Sequence, residues 1–214
     1  GNTITLSNDT TTPGSGVALT GSTVPTLVKS GTGTLIINAG GNDFSGGATL
    51  NAGTIRFGAS TTVTAGVLTS GPLGTGAFQV NGGALQDDGT DRYIANSMVL
   101  AGNVSFSSTG AGSLTFTNEV AGSSVTLVPA TTTLTVSNTT EFQQPLNGAG
   151  KALVKAGAGT LWLAGVNTYS GGTTVNAGTL QVSGSLASGS ALTVGSAGAA
   201  AFLVAGQALG SVTL

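Results

Sequence analysis

One phrase is written twice in this chain, and that repetition limits the folds open to it more than any other feature. "LVKSGTGTLIINAGGNDFSGGATLNAGTIRF" runs from Leu27 to Phe57, and "LVKAGAGTLWLAGVNTYSGGTTVNAGTLQV" runs from Leu153 to Val182. One inserted glycine accounts for their difference in length. Within each copy the side chains alternate with period two, as in a strand with one apolar face. Leu35 and Ile37 share a face, as do Ile55 and Phe57, with Thr34, Ile36 and Arg56 opposite. In the later copy Leu161 and Leu163 pair in the same way, as do Leu180 and Val182, with Thr160, Trp162 and Gln181 opposite.

The strand returns at short intervals. Leu161 and Leu180 are 19 residues apart, and Leu35 and Ile55 are 20 apart. "GSLTF" (Gly112–Phe116) and "TTLTV" (Thr132–Val136) place Leu114 and Leu134 again 20 apart, and "SALTV" (Ser190–Val194) is a further relative. A strand of three to five residues returning this often, with no helix between, suits a hairpin-built sandwich or a solenoid of stacked coils. A sandwich wants longer strands. A solenoid wants short strands, sharp bends and inward ladders of like residues, so the spacing predicts an all-β solenoid.

The bends fit that expectation. Each copy carries a glycine pair, Gly46–Gly47 and Gly171–Gly172, and an Asn-Ala-Gly corner at Asn51 and Asn176. Glycine supplies positive φ and asparagine tolerates it. Asn42 and Asn167 are expected to stack at or cap the same kind of corner, and Phe44 and Tyr169 to plug corners, with ligand stacking as the alternative for the two rings. The whole chain, 1–214, reads as a single solenoid domain with repeat copies at about 27–58 and 153–184.

Composition narrows the function. Of 214 residues 37 are Gly, 6% are charged, the net charge is −2, and there is neither Cys nor His. Lys29, Arg56, Arg92, Lys151 and Lys155 are spread out, so no basic patch for nucleic acid forms. Thiolate and imidazole metal sites, the Ser-His-Asp triad and cysteine nucleophiles are excluded outright. A chain without Cys also suits a secreted bacterial protein that stays unfolded until export. Val194–Leu214 is long and uncharged, yet Gly, Ser, Gln and Thr break it into strand-like pieces, so membrane insertion by this segment is not expected. The opening "GNTITLSNDT" lacks a basic and apolar leader, which reads as a mature or excised segment.

"GAGTLWLAGVNTYSGGTTVNAGTLQVSG" (Gly157–Gly184), with its lead-in "GKALVKAGAGTL" (Gly150–Leu161), closely resembles the autotransporter-associated β-strand repeat of bacterial autotransporter passengers. Leu27–Gly58 resembles a second, slightly degenerate copy. The resemblance implies a right-handed parallel β-helix, displayed at the bacterial cell surface or extracellularly and folding there. The repeat is associated with translocation and folding rather than with an active site. Roughly nine to eleven coils are expected, a rod on the order of 45–50 Å at about 4.8 Å per coil. No membrane-barrel pattern follows within the chain, which leaves a fragment of a longer passenger or a free-standing protein.

Candidate sites are few. "QDDGTDR" (Gln86–Arg92) alone clusters carboxylates: Asp87, Asp88 and Asp91. It reads either as a calcium-binding loop, since carboxylate oxygens are hard ligands, or as a turn whose carboxylates bond their own backbone. No catalytic or cofactor-binding residue is expected, and the chain is not expected to be an enzyme. The expected role is a structural or adhesive passenger in cell adhesion, aggregation or biofilm, with a host or matrix surface ligand as a partner. The alternative is a filament subunit stacking head to tail through open coil ends. Ile4 and Leu6 would form one assembly edge, and Phe202, Leu203, Val204 and Leu209 the other. The Thr runs at Thr10–Thr12 and Thr131–Thr133 are expected out of register with the coils, which argues against ice or mineral binding.

Overall fold

A computed structural model describes residues 3–7, 25–202 and 207–214, with backbone alone for 3–7. Among these residues there is no helix, and parallel strands stack into a solenoid of about nine turns. Short runs rich in Thr, Val, Leu and Ile alternate with glycine bends, so the chain can extend only briefly before each corner.

The walls form two sheets. A seven-stranded sheet takes Thr3–Ser7, Thr26–Ser30, Ala48–Leu50, Phe78–Val80, Met98–Leu100, Val125–Leu127 and Leu146–Asn147 in order, and makes the first face. A thirteen-stranded sheet makes the other two. Its second-face arm holds Thr34–Ile37, Thr54–Phe57, Ala84–Asp87, Val104–Ser108, Thr131–Val136 and Ala152–Ala156. Its third-face arm holds Arg92–Ile94, Ser113–Phe116, Thr139–Phe142 and Thr160–Leu163. The long strands Thr173–Val182 and Ala191–Phe202 round the corner and join the arms, with a register shift between Val175 and Ala177. Strand Ser211–Thr213 pairs with the start of Ala191–Phe202.

Inward positions form ladders. Leu50, Val80, Leu100 and Leu127 line up behind the first face. Leu35, Ile55, Leu85, Phe106 and Val136 line up behind the second. Ile94, Phe116, Phe142, Leu163, Val182 and Phe202 line up behind the third. Mid-rod, the rings of Phe116 and Phe142 stack at 4.7 Å, and Phe106 meets both edge-on. All eight inward residues read from the two copies are buried. Leu161 pairs with Leu180 and Leu35 with Ile55, as their spacing predicts.

Leu114 and Leu134 depart from the expectation. Leu114 pairs with Thr140 on the third face, whereas Leu134 pairs with Val104 and Lys155 on the second. The chain makes two excursions, of which only the second lies between Leu114 and Leu134 and displaces their count. One is a hairpin, Thr62–Thr64 with Val67–Ser70, around Ala65 and Gly66, both at positive φ; such a two-residue turn matches strand twist. The other is the loop between Phe116 and Val125.

The two copies therefore sit on different faces. In the first, Thr26–Ser30 lies on the first face and Thr34–Ile37 on the second; in the later copy, Ala152–Ala156 lies on the second and Thr160–Leu163 on the third. The phrase encodes a corner with its two flanking strands, not a fixed side of the rod. Thr131–Thr133 pairs with Ala152, Leu153 and Val154 in the next coil; beyond Val154 the column continues as Thr174, Thr193 and Thr213. Thr10–Thr12 lie outside the described residues.

Leu161 is fully buried, so Leu161→Ala is expected to cost about 2–5 kcal/mol in urea unfolding through the cavity it leaves. Thr160→Ala, on the opposite parity, is expected to cost under about 1 kcal/mol. Equal costs would contradict the inward assignment.

Candidate functional site

The chemistry built by both copies lies at their corners. Alternation puts Lys29 on the same side of its strand as Leu27, and Lys155 on that of Leu153, so both lysines point inward. Their exposures are 1% and 0%. Lys29 Nζ donates to the carbonyls of Ser30 (2.9 Å), Gly31 (2.8 Å) and Ala52 (3.3 Å). Lys155 Nζ donates to Ala156 (3.0 Å), Gly157 (2.7 Å) and Ala177 (3.0 Å). In each set two acceptors belong to the lysine's own corner and the third to the Asn-Ala-Gly corner of the next coil. An ammonium has three protons and no acceptor, so each lysine fastens two stacked corners.

The following glycine completes the corner. Gly53 and Gly178 have φ +77° and +67°, and a β-carbon on either would approach the carbonyls of the coil beneath to 2.4 Å. Gly47 and Gly172, in the glycine pairs, are also at positive φ. Asn42 and Asn167 are buried: Asn42 Nδ2 donates to Ala39 and Pro72 carbonyls, and Asn167 Nδ2 to those of Gly165 and Ser185. Asn167 Oδ1 also accepts from Leu146 N–H (2.9 Å). Phe44 and Tyr169 are buried, and the Tyr169 hydroxyl shares a 2.7 Å hydrogen bond with Thr173 Oγ1.

The aspartates of Gln86–Arg92 turn to separate partners. Asp87 is fully buried. Its carboxylate accepts from Gly89 N–H (2.8 Å), Ser108 Oγ–H and Asn138 Nδ2–H (3.1 Å). Asp88 pairs with Arg92 at 2.5 Å, and that guanidinium holds its carboxyl down to about 2. Asp91 accepts from Ser113 N–H and Oγ–H. Among the described residues no group of three or more His, Cys, Asp or Glu is placed to hold a metal ion. In this geometry the Asp87 carboxylate braces the corner.

At the proposed assembly edges, Ile4 and Leu6 stand in register with Leu27 and Lys29. Phe202 pairs with Val182, and Phe202 and Leu209 pack partly buried against the core. Leu203 and Val204 lie outside the described residues. No described helix is long and apolar enough to cross a membrane.

Residues 27–57 and 153–182 match the family model of the passenger-associated-transport-repeat. No curated protein and no solved structure matches the chain. The matched segments contain the two lysine corners.

Burial pushes the Lys29 amine down and brings Lys155 to about 8. The unfolded chain keeps the Lys155 proton up to about 10.5 and so binds more protons in that window. Stability is therefore expected to rise with pH from about 8 towards about 10; above that it falls, because burial raises the Tyr169 hydroxyl and only the unfolded chain loses that proton. Lys155→Met keeps the apolar stem and leaves three carbonyls without their donor. It is expected to cost about 1–3 kcal/mol at pH 7 and to flatten that rise, measured by chemical denaturation across pH. An unchanged pH profile would contradict the role given to Lys155.

Proposed function

We propose that the chain is part of a bacterial autotransporter passenger and acts as a non-catalytic extracellular scaffold, structural or adhesive, in cell adhesion, aggregation or biofilm. The observation that carries this reading is that the two segments matching a transport repeat are also the two that fasten coil to coil through a buried lysine. A chain leaving a cell stepwise folds only as fast as each new coil finds a template. A solenoid coil needs only its neighbour, and a corner that closes across coils secures each addition. The outer wall suits a surface role: the first face presents Val28, Thr49, Gln79, Val99, Thr126 and Asn147 in one uncharged column.

The test is to export the chain fused to a translocator barrel and to label intact cells. The double variant Lys29→Met/Lys155→Met is expected to lower surface display several-fold relative to Thr49→Ser/Thr126→Ser. Equal display would contradict the role of the repeats. Loss of cell–cell settling with the chain displayed but covered by antibody would support adhesion, and unchanged settling would count against it.

A second reading is a filament subunit stacking head to tail through its coil ends, where Val212 stands in register with Leu192. Rods longer than one molecule in electron micrographs of the isolated chain, shortened by Val212→Lys, would support it. A compact monomer at all concentrations would exclude it.

A further inference from the structure

Where the third face turns into the first, side-chain amides follow one another up the rod. Asn96 Nδ2 donates to the carbonyls of Gly74 (3.1 Å) and Gly76 (2.8 Å). Further along, Asn167 serves Gly165, Ser185 and Leu146, and Gln207 accepts from Leu186 N–H and donates to Gly184 O. Between Asn96 and these lies the coil with the second excursion. There Thr117 stays buried while Asn118, two residues past Phe116 as Asn96 is two past Ile94, is exposed. The amide that the pattern would place inside is turned out.

Gln144 reaches across the vacated level. Its Nε2 donates to the Thr117 carbonyl (3.0 Å) and also to that of Asn96 (3.1 Å), two coils away. This span leaves oxygens unserved. Asn96 Oδ1, Gln144 Oε1, Thr117 Oγ1 and Ser123 Oγ are buried without a hydrogen-bond partner in the protein. Their residues are 1%, 0%, 3% and 5% exposed. All four belong to this corner or to the excursion across it. Buried carbonyl-type oxygens are costly without a donor, and neither Asn96 Oδ1 nor Gln144 Oε1 can provide one for the other.

We propose that this corner is an internal water site, occupied by one ordered water that takes the place of the displaced amide. The water donates its two protons to Asn96 Oδ1 and Gln144 Oε1 and accepts from Thr117 Oγ–H; Ser123 Oγ stands by as a further partner. Three to four polar partners is the usual number for a buried water. A divalent cation fits poorly, because the four oxygens are all uncharged and such ions are held by carboxylates.

The test is a high-resolution crystal structure together with water–protein NOE spectra of the intact chain. The expected result is one peak about 2.7–3.1 Å from Asn96 Oδ1, Gln144 Oε1 and Thr117 Oγ1, with a long-lived water NOE to the Gln144 side-chain amide. Thr117→Val keeps the shape and removes one partner, and is expected to shorten the water's residence at least tenfold. If that variant does not fold, the wild-type spectra decide alone. Oxygens drawn in to about 2.4 Å around a peak that changes with the salt cation would mean an ion and overturn the proposal. Side chains rotated to bond one another, with no peak, would overturn it equally.

Discussion

Main-chain hydrogen bonding between parallel coils in strict register is the constraint on which the rest of this molecule depends. Once Leu161 must lie beside Leu180 and Leu35 beside Ile55, every inward position stands over its counterpart one coil away. The faces then look after themselves, since each strand satisfies its neighbour. The corners do not, because the chain leaves the ladder there and its carbonyls turn inward without partners. Much of the unusual chemistry in the interior answers that need: Lys29 and Lys155 at two corners, the amides of Asn96, Gln144 and Asn167 at another, and the carboxylate of Asp87 where N–H and O–H groups converge.

This explains why a lysine is tolerated in an apolar core. Its stem packs among Leu and Val, and its three protons meet three carbonyls. The same logic explains why the phrase can move from one face to the next between its copies. What it encodes is local: a strand, a capped corner and a second strand. The two copies occupy the corner from first to second face and the corner from second to third.

Much of this was legible in the residues. Period-two alternation identified the inward set of both copies, and the 19- and 20-residue spacing gave the pairing within each. The Asn-Ala-Gly and Gly-Gly corners were also legible, because glycine at positive φ has a sequence signature. Leu114 and Leu134 misled, since equal spacing means equal position only when every coil has the same length. The loop after Phe116, which lies between them, breaks that condition. The lysine corners left a signal that alternation alone could have found: Lys29 and Lys155 have the parity of buried leucines. The brace around Asp87 left none, because Asn138 lies 51 residues away and no local pattern announces it.

The interior is specified corner by corner, while the first face carries Thr, Gln and Asn outward in an uncharged column. The register itself is the claim most open to direct measurement. The chain contains no cysteine, so spin labels can be placed on Cys introduced at Val28 and Asn147, which close one outward column five coil steps apart. Double electron–electron resonance is expected to give one narrow distribution near 24 Å, from about 4.8 Å per step. A broad distribution, or a mean beyond about 35 Å, would contradict the parallel stack.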